Sequence, residues 1–132
     1  MIYIAGISKR GAKVSIKEIA REIDAPEHFI AKILQDLCKH GLLLSLKGPT
    51  GGFYLDKNSL TRSLAEIVKV IDGDKLYNGC ALGLPVCSEK MPCPLHNQFK
   101  KVRTDIYNML QNAQLSELQE QLESKMAFLK RD

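Results

Sequence analysis

Three thiols and an imidazole stand close together in the second half of the chain, as Cys80-x6-Cys87-x5-Cys93 with His96 three residues after the last thiol. Thiolate is the preferred ligand of soft or borderline metals and imidazole suits both iron and zinc. The four side chains can therefore fill four positions around a metal or an inorganic cluster. Gly79, Gly83, Pro85, Pro92 and Pro94 lie among them, so residues 74–94 read as a loop able to wrap a small inorganic core, not as regular structure. The spacing is more open than the Cys-x2-Cys pairs of zinc fingers, which disfavours a small zinc knuckle and leaves a zinc site of three Cys and one His open. Redox-active thiols and plain structural cysteines are the competing readings. His96 is either the fourth ligand or an exposed residue opening a helix. Cys38 stands apart and reads as a small side chain beside the core.

A second set of candidates is basic. Ser15-Ile-Lys-Glu18 offers a capping box, followed by Ile16, Ile19, Ala20 and Ile23 at helical spacing, which predicts a short helix over 16–23. Asp24 and Ala25 interrupt it. Pro26 suits the first turn of a new helix, and Ile30, Ile33, Leu34 and Leu37 repeat at i, i+3, i+4, i+7 before Gly41. With those four committed to the core, His28, Ala31, Lys32, Gln35 and Lys39 point outward. Leu42 to Lys47 and Gly52 to Asp56 read as strands flanking Gly48-Pro49-Thr50-Gly51, a composition suited to a hairpin turn. Helix, turn, helix, hairpin is the order of a winged helix-turn-helix, whose second helix enters the major groove. Lys32 and Lys39 can then neutralise phosphates, His28 and Gln35 can exchange hydrogen bonds with bases, and Lys47 at the hairpin tip can follow a backbone or enter a minor groove. The bland alternative is a helix pair of another kind with solvated charges; a basic hairpin at the expected place argues against it.

The flanking elements complete the expectation. Met1 to Ala5 reads as the end of an apolar helix stopped at Gly6. Ser63 and Glu66 form a second capping box before Leu64, Ile67, Val68 and Ile71, with Gly73 closing that helix. Beyond the cysteines, Phe99, Val102, Ile106, Met109 and Ala113 form a seam that a lone edge helix leaves partly exposed, and that a second copy of itself would cover most simply. Ser116-Glu-Leu-Gln119 restarts a last helix carrying Leu118, Leu122, Met126 and Leu129. The expected architecture is mostly α with a small β-hairpin wing. It divides into a winged helix-turn-helix over 1–73, a cysteine-rich loop over 74–96, and a dimerisation helix with a C-terminal helix over 97–132.

These residues together resemble the Rrf2 family of bacterial transcription regulators, of the IscR and NsrR type. The carriers are the helix-turn-helix from Ser15 to Gly41, the wing Leu43-Leu-Ser-Leu-Lys-Gly-Pro-Thr-Gly-Gly-Phe-Tyr-Leu55, the helix end Ile71-Asp-Gly73 and the three cysteines. The resemblance implies a homodimeric winged-helix protein that binds double-stranded DNA at a pseudo-palindromic operator. It further implies an iron-sulfur cluster, 2Fe-2S or 4Fe-4S, reporting on iron, nitric oxide or redox state. Carried over by position, Cys80, Cys87 and Cys93 match the cluster cysteines, and His96 matches the fourth ligand of the iron-sulfur-biogenesis branch. Pro26, His28 and Ala31 fall on recognition-helix positions, and Lys47 on the wing cation. The first cysteine gap is one residue longer than the common spacing, Ala31 replaces an acidic residue and Lys47 replaces arginine. The DNA preference of that branch is therefore not inherited. The family's first helix normally starts earlier, so this chain is expected to enter within it.

Composition sets the bounds. The chain has 132 residues, 45% apolar and 26% charged, ordinary values for one globular unit. No apolar run approaches the ~20 residues that span a bilayer, and Met1 to Ile7 lacks the features of an export signal, so a cytoplasmic protein without a membrane partner is expected. The net charge of +4 permits a polyanionic partner without requiring one; nine basic against six acidic residues precede Thr61, and ten against nine follow. No nucleophile and base pair, phosphate-binding Gly loop or carboxylate dyad stands at a recognisable spacing, which argues against an enzyme. Two alternatives to a cluster-switched regulator remain: a thiol-redox or zinc-stabilised winged helix, and a cluster-carrying electron-transfer protein that keeps the winged helix as scaffold.

Overall fold

The computed structural model describes residues 1–130; residues 131–132, the end of the expected C-terminal segment, lie outside the described residues. Each helix-turn-helix element begins where its cap dictates. Helix α2 (Ile16–Ile23) opens with Ser15 Oγ accepting from the Glu18 amide while the Glu18 carboxylate accepts from the Ser15 amide, so two otherwise orphaned donors are satisfied at once. Its end needs the left-handed residue Asp24, φ 53°. Helix α3 (Glu27–Lys39) follows Pro26, whose ring fixes the entry and donates no amide. Ile30, Leu34 and Leu37 face inward, where they meet Ile19 and Ala20 of α2 and Ile67 of α5 (Leu64–Asp72) in one core.

Leu42 and Leu43, read as the start of a strand, are instead a buried connection, and β1 is only Leu44–Leu46. It pairs antiparallel with β2 (Gly52–Tyr54) in the register Leu44 to Tyr54 and Leu46 to Gly52. Burial of both leucines in the core accounts for the late start of β1, and β2 stops at Tyr54, short of the expected Asp56, where Leu55 turns into the core. Val14 adds a further bridge, exchanging two backbone hydrogen bonds with Phe53. The entry to the helix-turn-helix and the wing are thus one hydrogen-bonded unit.

Helix α1 (Ile2–Lys9) does not stop at Gly6. It runs through Gly6, which faces α8 (Leu115–Glu123) at a place where a Cβ would only touch the Gln119 side chain at 3.8 Å. The capping box expected at Ser116 is absent. Helix α8 starts after Gln114 because the chain there is held by Leu64 donating to the Ala113 carbonyl and Leu115 to the Arg62 carbonyl. Leu115 is then completely buried, and Lys9 pairs with Glu123 at 2.8 Å across the α1–α8 contact. The last helix ends at Glu123, so Met126 and Leu129 lie beyond it and are exposed.

Two short helices escaped the sequence reading: α4 (Lys57–Leu60), capped by the Asp56 carboxylate accepting from Ser59, and α6 (Lys75–Asn78). The second corrects the expectation that residues 74–94 hold no regular structure. Helix α7 (His96–Asn112) is the longest in the molecule and packs on α5 and α6. Its seam is unevenly covered: Phe99 and Ile106 are half-buried, while Val102 and Met109 stay exposed.

Candidate functional site

Two surfaces carry the candidate residues. On α3, positions 28, 32, 35 and 39 fall within about 60° of one another at 100° per residue, so His28, Lys32, Gln35 and Lys39 share an outer face. All four are exposed, as are Pro26 and Lys47; Ala31 is half-buried at the edge. His28 and Ala31 line an open groove of about 820 Å³ between α3 and the wing, with Gly48, Gly51, Gly52 and Phe53 on its far side. The wing's glycines are required by close approach: a Cβ on Gly51 would sit 2.0 Å from the Leu46 carbonyl oxygen. One on Gly52, φ 144°, would sit 2.9 Å from that of Val14. Lys17 and Glu27 line the same groove and were missed in the sequence. Both stand in the first turn of a helix, which is the signal that could have found them.

The cysteine loop runs from Gly79, which caps α6, to Leu95, which precedes α7. Two turns of the chain shape it: the Gly83 amide donates to the Cys80 carbonyl, and the His96 amide to the Cys93 carbonyl, both at 3.0 Å. Hydrogen bonds from the backbone amides of Leu84 and Leu82, with a smaller contribution from the neighbouring Cys93 thiol, hold Cys80 below the ordinary cysteine range despite some desolvation. His96 is buried, with Nδ1 3.4 Å from Cys87 Sγ. Arg103 reaches the same sulfur with both terminal nitrogens, at 3.4 and 3.5 Å, and donates to the Gly79 carbonyl as well. Seven residues separate His96 from Arg103, two helical turns, so one face of α7 presents both. Arg103 was not singled out in the sequence, although that spacing would have placed it. Glu89 is ion-paired with Lys100, a further tie from loop to α7.

Of the four candidate donors, Cys87 and His96 are in direct contact, and Cys80 and Cys93 stand on the same loop. Among the described residues no group of three or more His, Cys, Asp or Glu side chains converges on one point. By donor chemistry the set fits an iron-sulfur group or a zinc ion, three soft thiols and an imidazole on a loop rich in Gly and Pro. Cys38 is packed against the core and burial pushes its thiol up, in keeping with a structural side chain.

The profile of the Rrf2 family, described as iron-dependent transcriptional regulators, matches residues 1–121. The chain belongs to the Rrf2 family. It is 30% identical over 111 residues to a putative HTH-type transcriptional regulator of Aquifex aeolicus, covering 83% of this chain and 77% of that protein. The structure of CymR, the global cysteine regulator of B. subtilis, superposes with a TM-score of 0.67 at 20% identity over 90% of this chain and 88% of that one. T. potens IscR superposes with a TM-score of 0.65 at 23% identity, over 89% and 77%. At these identities the two structures establish the Rrf2 winged-helix fold. The family is one of transcriptional regulators, not enzymes, which implies DNA as a ligand. No helix among the described residues is long and apolar enough to cross a membrane.

Proposed function

We propose that this chain is a homodimeric, sequence-specific DNA-binding regulator whose operator affinity is set by an iron-sulfur cluster held in the cysteine loop. The observation that carries this reading is the placement of Cys87 against His96 and Arg103 of α7, the helix whose Val102 and Met109 are left uncovered. A change at the thiols can thereby reach the surface on which a second copy would pack. Cys80, Cys87, Cys93 and His96 would hold the cluster, which supplies a centre sensitive to iron, nitric oxide or oxidants. His28, Ala31 and Gln35, with Pro26 at the helix entry, would face base edges, and Lys32, Lys39 and Lys47 the phosphates. Two α3 helices related by a two-fold axis would read half-sites about one helical turn, ~34 Å, apart.

A second reading is favoured by the three free thiols, Cys80, Cys87 and Cys93, carried on one loop. An oxidant such as a peroxide could take two electrons and two protons from two of them and leave a disulfide, switching the loop without a metal. Operator selection followed by anaerobic binding measurements separates the two. The cluster reading predicts operator affinities that differ about fivefold or more between protein reconstituted with iron and sulfide and metal-free reduced protein. Equal affinities in those two states would overturn it. A difference found only between reduced and peroxide-treated metal-free protein, lost when one of these cysteines is replaced by alanine, would establish the thiol switch instead.

A further inference from the structure

Of the side chains that join the loop to the long helix, Arg103 alone reaches two separate points of the loop. Arg103 extends from α7 and donates to two acceptors that lie 24 and 16 residues away, the Gly79 carbonyl at the loop's entry and the Cys87 sulfur at its middle. Its Nε is buried with no partner, and no carboxylate among the described residues pairs with it. Its partners thus lie on the loop side, none of them on its own helix. A half-buried guanidinium without a counterion is costly unless a polarisable or negative acceptor faces it, and Cys87 is the group in that position. Gly79 is equally constrained, since a Cβ there would approach the Lys75 carbonyl oxygen to 2.6 Å, so its carbonyl is fixed by the end of α6. On α7 Arg103 is one turn from both Phe99 and Ile106, the half-buried members of the apolar seam.

We infer that Arg103 is the positioning residue coupling the cysteine loop to the long helix: its guanidinium clamps Cys87 and the Gly79 carbonyl against α7, and any group that takes the Cys87 sulfur competes with that clamp. The inference rests on the reading of the loop as the sensing element. It requires the planar fork of arginine, since a lysine ammonium keeps the charge but presents a single point from a flexible stem.

Amide hydrogen exchange on the metal-free, reduced full chain tests the clamp directly. Arg103→Lys should raise exchange over residues 79–95 and the first two turns of α7 about tenfold, as expected for loss of a hydrogen bond to a charged group. Cys87→Ala should do much the same, and the double variant should add little, because both changes break one contact. Unchanged exchange in Arg103→Lys, or effects of the two substitutions that simply multiply, would overturn the clamp. A second readout concerns coupling: Arg103→Lys reconstituted with iron and sulfide should retain the wild-type iron content, yet the ratio of its operator affinities with and without iron should fall toward one. If the wild type itself shows no such ratio, the sensing reading fails; if it does and Arg103→Lys keeps the full ratio, the role of Arg103 alone is refuted.

Discussion

Lys47 is exposed at the turn of the wing, one residue before Gly48, and among the described residues no ion pair holds its ammonium. Its contribution should therefore appear in DNA binding and not in stability. Lys47→Ala is expected to weaken operator binding about equally for all sequences and, for one phosphate contact, to lower the slope of log K against log salt by about 1. Salt titrations of wild type and variant check it, and an unchanged slope would remove Lys47 from the phosphate contacts. His28 differs in kind. It lines the groove between α3 and the wing beside Ala31, so His28→Ala should alter which bases are preferred more than the salt slope.

At the scale of elements, capping chemistry was the most legible signal. Ser15 with Glu18 and Ser63 with Glu66 both form the predicted boxes, and the helices they open agree with the sequence reading. The Ser15 backbone amide and hydroxyl hold the Glu18 carboxyl below the ordinary glutamate range. A carboxylate lowered in the folded state stabilises above its unfolded pKa, and that contribution is lost as pH falls through the folded value. Glu18→Gln should thus melt at a lower temperature than wild type at pH 7, with the gap closing below about pH 4; a gap independent of pH would contradict the charge-assisted cap. What the sequence hid were features decided by distant contacts. Gly6 looks like a stop but lies against Gln119, and Leu42 and Leu43 look like strand but are taken into the core. In the cysteine loop the candidate donors were named from residue type and spacing. The spacing from His96 puts Arg103 on the same face of α7, but the contacts of Cys87 with both His96 and Arg103 depend on how α7 packs against the loop and could not be read locally.

For the whole molecule, the exposed positions of α7 carry the expectation of a two-fold dimer. Val102 is 50% and Met109 63% exposed on a helix otherwise packed against α5 and α6. Met109→Asp should leave the far-ultraviolet circular dichroism unchanged while shifting sedimentation velocity toward a monomer and abolishing binding to a two-half-site operator. A variant that remains dimeric would place the interface elsewhere. Whether the loop holds an iron-sulfur cluster is decided by purifying the chain without oxygen and measuring its iron, sulfide and zinc together with its visible absorption. A cluster-bearing chain should carry iron and acid-labile sulfide in matching, stoichiometric amounts, with a visible charge-transfer band, all lost in Cys87→Ala. Zinc alone, or no metal even after anaerobic reconstitution with iron and sulfide, would contradict the cluster reading.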